Sequence, residues 1–252
     1  MSERSGPAMH ANGEVPGDGR SAAGPGLVAS LLPAGICVVE ETSQDIVDVP
    51  LFPQEQAVIR NVVRRRREEF TTVRVCARRA LARLGISPVP VLPGPDGAPM
   101  WPPGVVGSIT HCRGHRACAV ALDSEVAAVG IDAEPNQVLP YDMLEAISLP
   151  SERAAIRRLP VTTPAVHWDR LLFSAKEAIY KVWFPLTGRG LDFAQAEVAL
   201  RADGGFTARL LVDGARVGSR PMVGLAGRWR ATDSVLATGI VVPAVGSPRP
   251  HG

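Results

Sequence analysis

From His167 to Phe184 the chain reads as one long helix ending at Pro185, in which Leu172, Phe173, Ile179, Tyr180, Val182, Trp183 and Phe184 leave little surface for water. A helix this apolar must be covered by other elements, so the rest of the fold has to be built around it. It also carries Lys176, Glu177 and Lys181. Glu177 and Lys181 are four residues apart and share a face, whereas Lys176 sits about 100° round from Glu177. The bland account is a surface ion pair. On so apolar a helix, charged groups face a site rather than bulk solvent.

Those two lysines are the only ones among 27 basic residues; the other 25 are arginines, a bias that coding preference explains. Two lysines kept five residues apart still invite a chemical reason, because a compact, strongly hydrated ammonium is not a guanidinium fork. With 25 acidic residues the net charge is +2, which argues against wholesale wrapping of nucleic acid. At 46% hydrophobic and 21% charged, the 252 residues have the composition of a globular chain. No apolar run approaches the roughly 20 residues of a membrane helix, and the N-terminus lacks the apolar centre of a secretory signal, so a cytoplasmic, membrane-free protein is expected. Cys37, Cys76, Cys112 and Cys118 are too few and too scattered for a disulfide framework.

Residues 1–26 hold nine Gly or Pro and no Ile, Leu, Phe, Trp, Tyr or Cys, which predicts a disordered tail; residues 244–252 are read as a flexible C-terminal tail. Between them the pattern predicts two α+β halves, 27–122 and 123–243. A strand is expected over Gly35–Glu40, and a hairpin pairs Val105–Thr110 with Ala117–Leu122. Glu125–Glu134 reads as a strand stopped by Pro135, Leu139–Arg158 as largely helical, and Phe193–Val242 as three or four strands.

Over Gln54–Leu84 the apolar residues recur at three- and four-residue steps, predicting one amphipathic helix or two end to end. Arg60, Arg64, Arg67, Arg74 and Arg78 form a stripe beside the apolar arc, and a solvated face accounts for Arg60, Arg64 and Arg78. Arg66 points into the middle of that arc and needs an anionic partner.

In Val129-Gly-Ile-Asp-Ala-Glu-Pro135, strand alternation puts Asp132 and Glu134 on one side, about 7 Å apart, with Ile131 and Ala133 towards a core. Two carboxylates on one face repel unless a cation lies between them; a solvated edge is the alternative. Oxygen ligands without histidine or thiolate suit a hard ion such as Mg2+, and Asp132, Glu134 and Glu177 would make such a site for a polyanionic ligand. His111, Cys112, His115 and Cys118 have zinc-like residue types, but they are crowded and Cys118 falls inside a strand. His111, at the end of the Gly107-Ser-Ile-Thr110 run, is better placed to meet a phosphate.

At these residues the chain resembles the 4'-phosphopantetheinyl transferases of the surfactin and enterobactin type, particularly the actinobacterial ones. The matching blocks are Trp101–Cys112, Val129–Pro135, Trp168–Leu186 and Arg66–Arg74. The pairing of Gly-Ile-Asp-x-Glu with Lys176-Glu-Ala-Ile-Tyr-Lys181 some forty residues later is highly specific. The resemblance implies two pseudo-symmetric α+β halves with coenzyme A in the cleft between them. It also implies Mg2+-dependent transfer of phosphopantetheine to a serine of an apo acyl- or peptidyl-carrier protein, by a monomer. Asp132, Glu134 and Glu177 would hold the Mg2+, and Glu177 would take the serine proton. Lys181 and Lys176 would steady the pyrophosphate, Thr110 and His111 would contact phosphates of the nucleotide end, and Arg66 and Arg74 would grip the 3'-phosphate. Where relatives often carry a basic residue, this chain has Pro93, so contacts from that loop, Gly94 included, would be through backbone. Two other readings stand beside it: a nucleic-acid-binding module built on Arg64–Arg67, and a coenzyme A binder without turnover.

Overall fold

A computed structural model of the chain describes residues 25–42, 50–94, 97–161, 165–213 and 216–246. The two predicted tails, 1–26 and 244–252, lie outside these residues except for 25–26 and 244–246. In chain order the elements are β1 (Cys37–Glu41), α1 (Pro53–Val58), α2 (Arg64–Arg83), β2 (Val105–Cys112), β3 (His115–Leu122) and β4 (Val126–Pro135). Then come α3 (Tyr141–Ile147), α4 (Pro150–Ile156), α5 (Trp168–Thr187), β5 (Ala196–Leu200), β6 (Gly205–Leu210), β7 (Arg216–Val217), β8 (Arg220–Pro221), β9 (Gly224–Ala231) and β10 (Val235–Pro243). A three-stranded sheet, β1-β3-β2, and a five-stranded sheet, β4-β10-β9-β6-β5, are antiparallel throughout. This is the α+β class expected.

Each sheet is backed by one 20-residue helix. Cys76, Ala77, Ala80 and Leu81 of α2 pack on Val39, Val105, Cys118 and Val120 of the smaller sheet. Leu171, Leu172, Ala175, Ala178, Ile179, Val182 and Trp183 of α5 pack on the larger one, against Ala128, Leu236 and Ile240 among others. Their steps of one, three and four residues cover the broad buried arc that the apolar sequence demands. The helix does not stop at Pro185. A proline in the last turn removes one backbone donor, and the helix closes three residues later at Gly188, whose positive φ (+63°) lets its N–H reach the Phe184 carbonyl at 2.8 Å.

The two sheets meet along β2 and β4. On its free edge β4 offers the N–H groups of Ile131 and Ala133, which are accepted by the hydroxyls of Ser108 (3.1 Å) and Thr110 (2.9 Å). Side chains thus complete the β4 edge where no backbone strand does. Behind the seam, Val129, Ile131 and Ala133 pack with Ala117, Ala119 and Val28, as the alternation of β4 predicts.

On the opposite side of β4, α5 comes so close that a Cβ at Gly130 would stand 2.1 Å from the Ala178 carbonyl oxygen. Gly130→Ala must therefore push α5 off β4. We expect about 2–3 kcal/mol of destabilisation in thermal melts, because the close approach leaves no room for a methyl group.

The segment expected as one helix or two is two, broken over residues 59–63. Arg78, expected in water, is instead nearly buried and donates to Glu55 Oε2 at 2.8 Å. Fully buried Glu55 also accepts the N–H groups of Phe52 (3.0 Å) and Val91 (3.1 Å), tying α1, α2 and the loop before β2 together. The predicted helix over 139–158 is interrupted between α3 and α4 at Ser148-Leu149, ahead of Pro150, which starts a new helix at N1.

Candidate active site

Asp132 and Glu134 lie on the α5-facing side of β4. Asp132 is 5% exposed. Its Oδ1 accepts Lys181 Nζ at 2.7 Å and the Thr110 hydroxyl at 3.2 Å, and the same Nζ donates to the Ile131 carbonyl at 3.1 Å. Its Oδ2 is buried with no hydrogen-bond partner, a costly state for a carboxylate oxygen and one that a cation would relieve. Glu134 accepts Arg170 Nη1 at 3.1 Å, yet burial and then the Asp132 charge push its carboxyl up to about 7. Half-buried Glu177 makes no hydrogen bond or ion pair with any other described residue. Burial holds its pKa above the ordinary carboxylate value, with Lys181 opposing and Asp132 adding.

Three carboxylates short of positive charge fit a hard divalent cation. Asp132, with its orphaned oxygen, and Glu177 are the natural holders. As they stand, no three His, Cys, Asp or Glu side chains among the described residues are gathered closely enough to enclose an ion, and Glu134 is held by Arg170.

A cavity of about 690 Å3 opens over Asp132 and Glu177. Two helical stripes line it: Arg66, Phe70, Val73 and Arg74 on α2, and Glu177, Tyr180, Lys181 and Phe184 on α5. Both run at steps of one, three and four, so each helix turns one flank to the cavity and another to its sheet. One part of the wall is electropositive. Arg74 is 6% exposed, lies 4.2 Å over the Phe70 ring and leaves Nε without a partner; burial lowers its pKa to about 10. Arg66, 60% exposed, reaches to 3.4 Å from His111 Nε2 and 3.7 Å from the Glu69 carboxylate. His111 is pushed below its usual pKa by burial, against Glu69 and with help from Arg66 and Lys181. Other parts of the lining are apolar, with Ile59 and Val62 beside Phe70 and with Tyr180 and Phe184 on α5. Such a cavity suits a long ligand with anionic groups at one end and neutral or apolar parts along its length.

Of the ten residues singled out in the sequence, seven line this cavity: Arg66, Arg74, Thr110, His111, Asp132, Glu177 and Lys181. Arg66 does sit within an apolar arc, but at that end of α2 the arc walls the cavity rather than a core. Thr110 is 3% exposed and its hydroxyl is already bonded to Asp132 and to the β4 backbone. Gly94 is not among the lining residues; its N–H is used within its own loop, by the Ala98 carbonyl at 2.7 Å, while Pro93 and Gly97 do line the cavity.

Lys176 is not among the lining residues. Its ammonium, 3% exposed, points the other way, pairing with Glu152 at 2.9 Å and donating to the carbonyls of Phe193 (2.7 Å) and Ala196 (2.8 Å). Glu152 is itself buried and accepts the N–H groups of Leu149 and Val198, both at 2.7 Å. All three ammonium protons are used, so no anion in the cavity can claim them. Lys176→Met should cost about 3–5 kcal/mol in denaturant unfolding, because it strands a buried carboxylate. Sequence reasoning also left Tyr180 and Phe184 out of the site, although their spacing from Glu177 places them on its flank, and it missed Ser108 and Arg170.

An α+β protein with a cavity in which Asp132, Glu177 and Lys181 meet Arg66, Arg74 and His111 is the class that fold and site define. Residues 54–121 match the 4'-phosphopantetheinyl transferase N-terminal domain, and residues 128–221 match the 4'-phosphopantetheinyl transferase superfamily. The chain is 53% identical over 222 residues to 4'-phosphopantetheinyl transferase Svp of Streptomyces mobaraensis, covering 86% of this chain and 90% of that protein. It is 47% identical over 225 residues to 4'-phosphopantetheinyl transferase PptT of Mycobacterium tuberculosis (86% and 98% covered). With 4'-phosphopantetheinyl transferase Npt of Nocardia iowensis it shares 42% over 223 residues (85% and 99% covered). The chain belongs to the 4'-phosphopantetheinyl transferases, enzymes that modify carrier proteins. The nucleic-acid-binding reading of Arg64–Arg67 gains no support from these relatives. Among the described residues no helix is long and apolar enough to cross a membrane.

Proposed function

We propose that the chain, acting as a cytoplasmic monomer, moves the phosphopantetheine arm of coenzyme A onto a serine hydroxyl of an apo acyl- or peptidyl-carrier protein and releases adenosine 3',5'-bisphosphate. The carrier belongs to a fatty acid, polyketide or nonribosomal peptide synthase. The observation that carries this reading is the convergence in one cavity of Asp132, Glu177 and Lys181 with Arg66, Arg74 and His111. Residues 27–122 and 123–243 supply the two walls of that cavity.

In this reading Arg74, buried and with an unpartnered nitrogen, joins Arg66 and His111 in holding the phosphates of the nucleotide end. The apolar part of the lining takes the pantetheine arm. Glu177 takes the proton of the attacking serine, directly or through water, and its raised pKa suits a base. The serine oxygen bonds to the near phosphorus of the pyrophosphate as the bond from that phosphorus to the adenosine bisphosphate oxygen breaks. Lys181, already turned to Asp132, lies beside the charge that builds on the leaving phosphate. Mg2+, held by Asp132 and Glu177 with Glu134 as third carboxylate, supplies charge neutralisation at the pyrophosphate when bound. The chemistry needs positioning and neutralisation rather than a covalent enzyme intermediate.

The reading is tested by following nucleotides. Adenosine 3',5'-bisphosphate should appear in step with loss of coenzyme A only when an apo carrier with its acceptor serine is present. Coenzyme A binding without bisphosphate from any carrier tried would instead mark a binder without turnover.

A further inference from the structure

The first turn of α2 carries a run of arginines from Arg64 and no acidic residue, at the end where the helix dipole is already positive. Two carboxylates follow. Glu68 accepts Arg64 Nε at 2.7 Å, and Glu69 Oε1 accepts Arg65 Nε at 3.0 Å. The second oxygen of Glu69 lies 3.7 Å from Arg66 Nη1. Glu69 is also the negative charge that acts on His111, against the positive charges of Arg66, Lys181 and Arg116. Against burial, the Arg65 hydrogen bond and the charges of His111, Arg65 and Arg66 hold its carboxyl below the ordinary carboxylate value, so Glu69 is ionised at neutral pH. It does not line the cavity, whereas Arg66 and His111 do. Arg66 is held loosely. It stands 3.7 Å from Glu69 and 3.4 Å from His111 Nε2, both beyond the about 3.2 Å of a strong hydrogen bond, and its side chain is 60% exposed.

We infer that Glu69 is a specificity-determining residue that competes with the 3'-phosphate of coenzyme A for Arg66, and so sets how much that phosphate contributes to binding. Coenzyme A and adenosine 3',5'-bisphosphate carry the same 3'-phosphate, so a site that grips this group without restraint holds substrate and product alike. A fixed carboxylate behind Arg66 weakens both. It gives Arg66 a partner in the free protein, and it repels a phosphate that brings close to two negative charges. Dephospho-coenzyme A lacks the phosphate, does not draw Arg66 away and is indifferent to Glu69. The charge that tempers binding thus lies outside the cavity, on a residue that touches neither the ligand nor the reacting atoms. This rests on the nucleotide-end phosphates lying at Arg66, Arg74 and His111, as proposed above, and the two are tested apart.

The experiment measures dissociation constants of coenzyme A, dephospho-coenzyme A and adenosine 3',5'-bisphosphate on the purified full chain by isothermal titration calorimetry at low salt. Arg66→Gln should weaken coenzyme A and the bisphosphate by about tenfold and dephospho-coenzyme A by less than about threefold. If Arg66→Gln leaves coenzyme A unchanged, the placement of the nucleotide end fails and the role of Glu69 with it. Where Arg66→Gln behaves as expected, Glu69→Gln should bind coenzyme A and the bisphosphate about three- to tenfold more tightly and dephospho-coenzyme A within about twofold of wild type. The gain should shrink as salt is raised. Arg65→Gln breaks the same Arg65–Glu69 pair but keeps the carboxylate, so it should not tighten coenzyme A. Weaker coenzyme A binding by Glu69→Gln overturns the inference, because Glu69 would then be holding Arg66 in place for the ligand. Equal tightening of dephospho-coenzyme A overturns it too, as does tightening by Arg65→Gln, which would trace the effect to the helix rather than to the charge. Each of these substitutions removes a helix-surface contact that contributes little to folding, which circular dichroism checks.

Discussion

Glu177→Gln will melt at or above the wild-type temperature and transfer phosphopantetheine about 10^3-fold more slowly or worse. Both halves of this expectation come from the surroundings of one carboxylate. Glu177 is half-buried and has no hydrogen-bond or ion-pair partner among the described residues, so a neutral isostere strands nothing. Burial raises its pKa, which means that its charge is a cost to the folded state and that glutamine removes the cost. An amide cannot take the serine proton, and raising the cation concentration cannot supply a base. The checks are a thermal melt and a single-turnover rate at saturating coenzyme A, at two cation concentrations. Activity near wild type would remove Glu177 from the base role.

Asp132→Asn is expected to fail just as badly at low cation concentration, by about 10^2- to 10^4-fold, since loss of the charge removes an ion ligand and the counter-charge of Lys181. The two variants part when the cation is raised. Glu177 remains in Asp132→Asn, so part of the loss should be recovered, whereas Glu177→Gln should stay inactive. Asparagine can still accept from Thr110 and Lys181 through its Oδ1, which keeps the seam between β2 and β4 closed. A rate for Asp132→Asn that does not respond to the cation would contradict the assignment of Asp132 as an ion holder.

The strand and helix that build the site could be read in advance because both are strongly periodic. Alternation alone set Asp132 and Glu134 on one side of β4 and Ile131 and Ala133 on the other, and the packing of the seam agrees. The misreadings share a cause, which is that periodicity assigns a direction but not what waits there. Lys176 and Lys181 are about 140° apart on a helix at 100° per residue, so one cavity could not hold both. What the sequence could not show is the buried Glu152 that meets Lys176 from α4. Arg78 is a second case, because Glu55 reaches it across 23 positions. Arg66 pointed into an apolar arc, but an apolar arc looks alike whether it covers a core or walls a cavity. The seam at Ser108 and Thr110 left no pattern to find, since a hydroxyl standing in for a backbone acceptor depends on two sheet edges meeting.

The central claim is that Asp132, Glu177 and Lys181, facing Arg66, Arg74 and His111, form a transferase site for coenzyme A. Intact-protein mass spectrometry of an apo carrier incubated with the chain, coenzyme A and Mg2+ tests it most directly. The account predicts that the carrier gains the mass of one phosphopantetheine with the wild type and none with Glu177→Gln. Unmodified fatty acid, polyketide and peptide carriers after incubation with the folded wild type, or equal modification by Glu177→Gln, would contradict it.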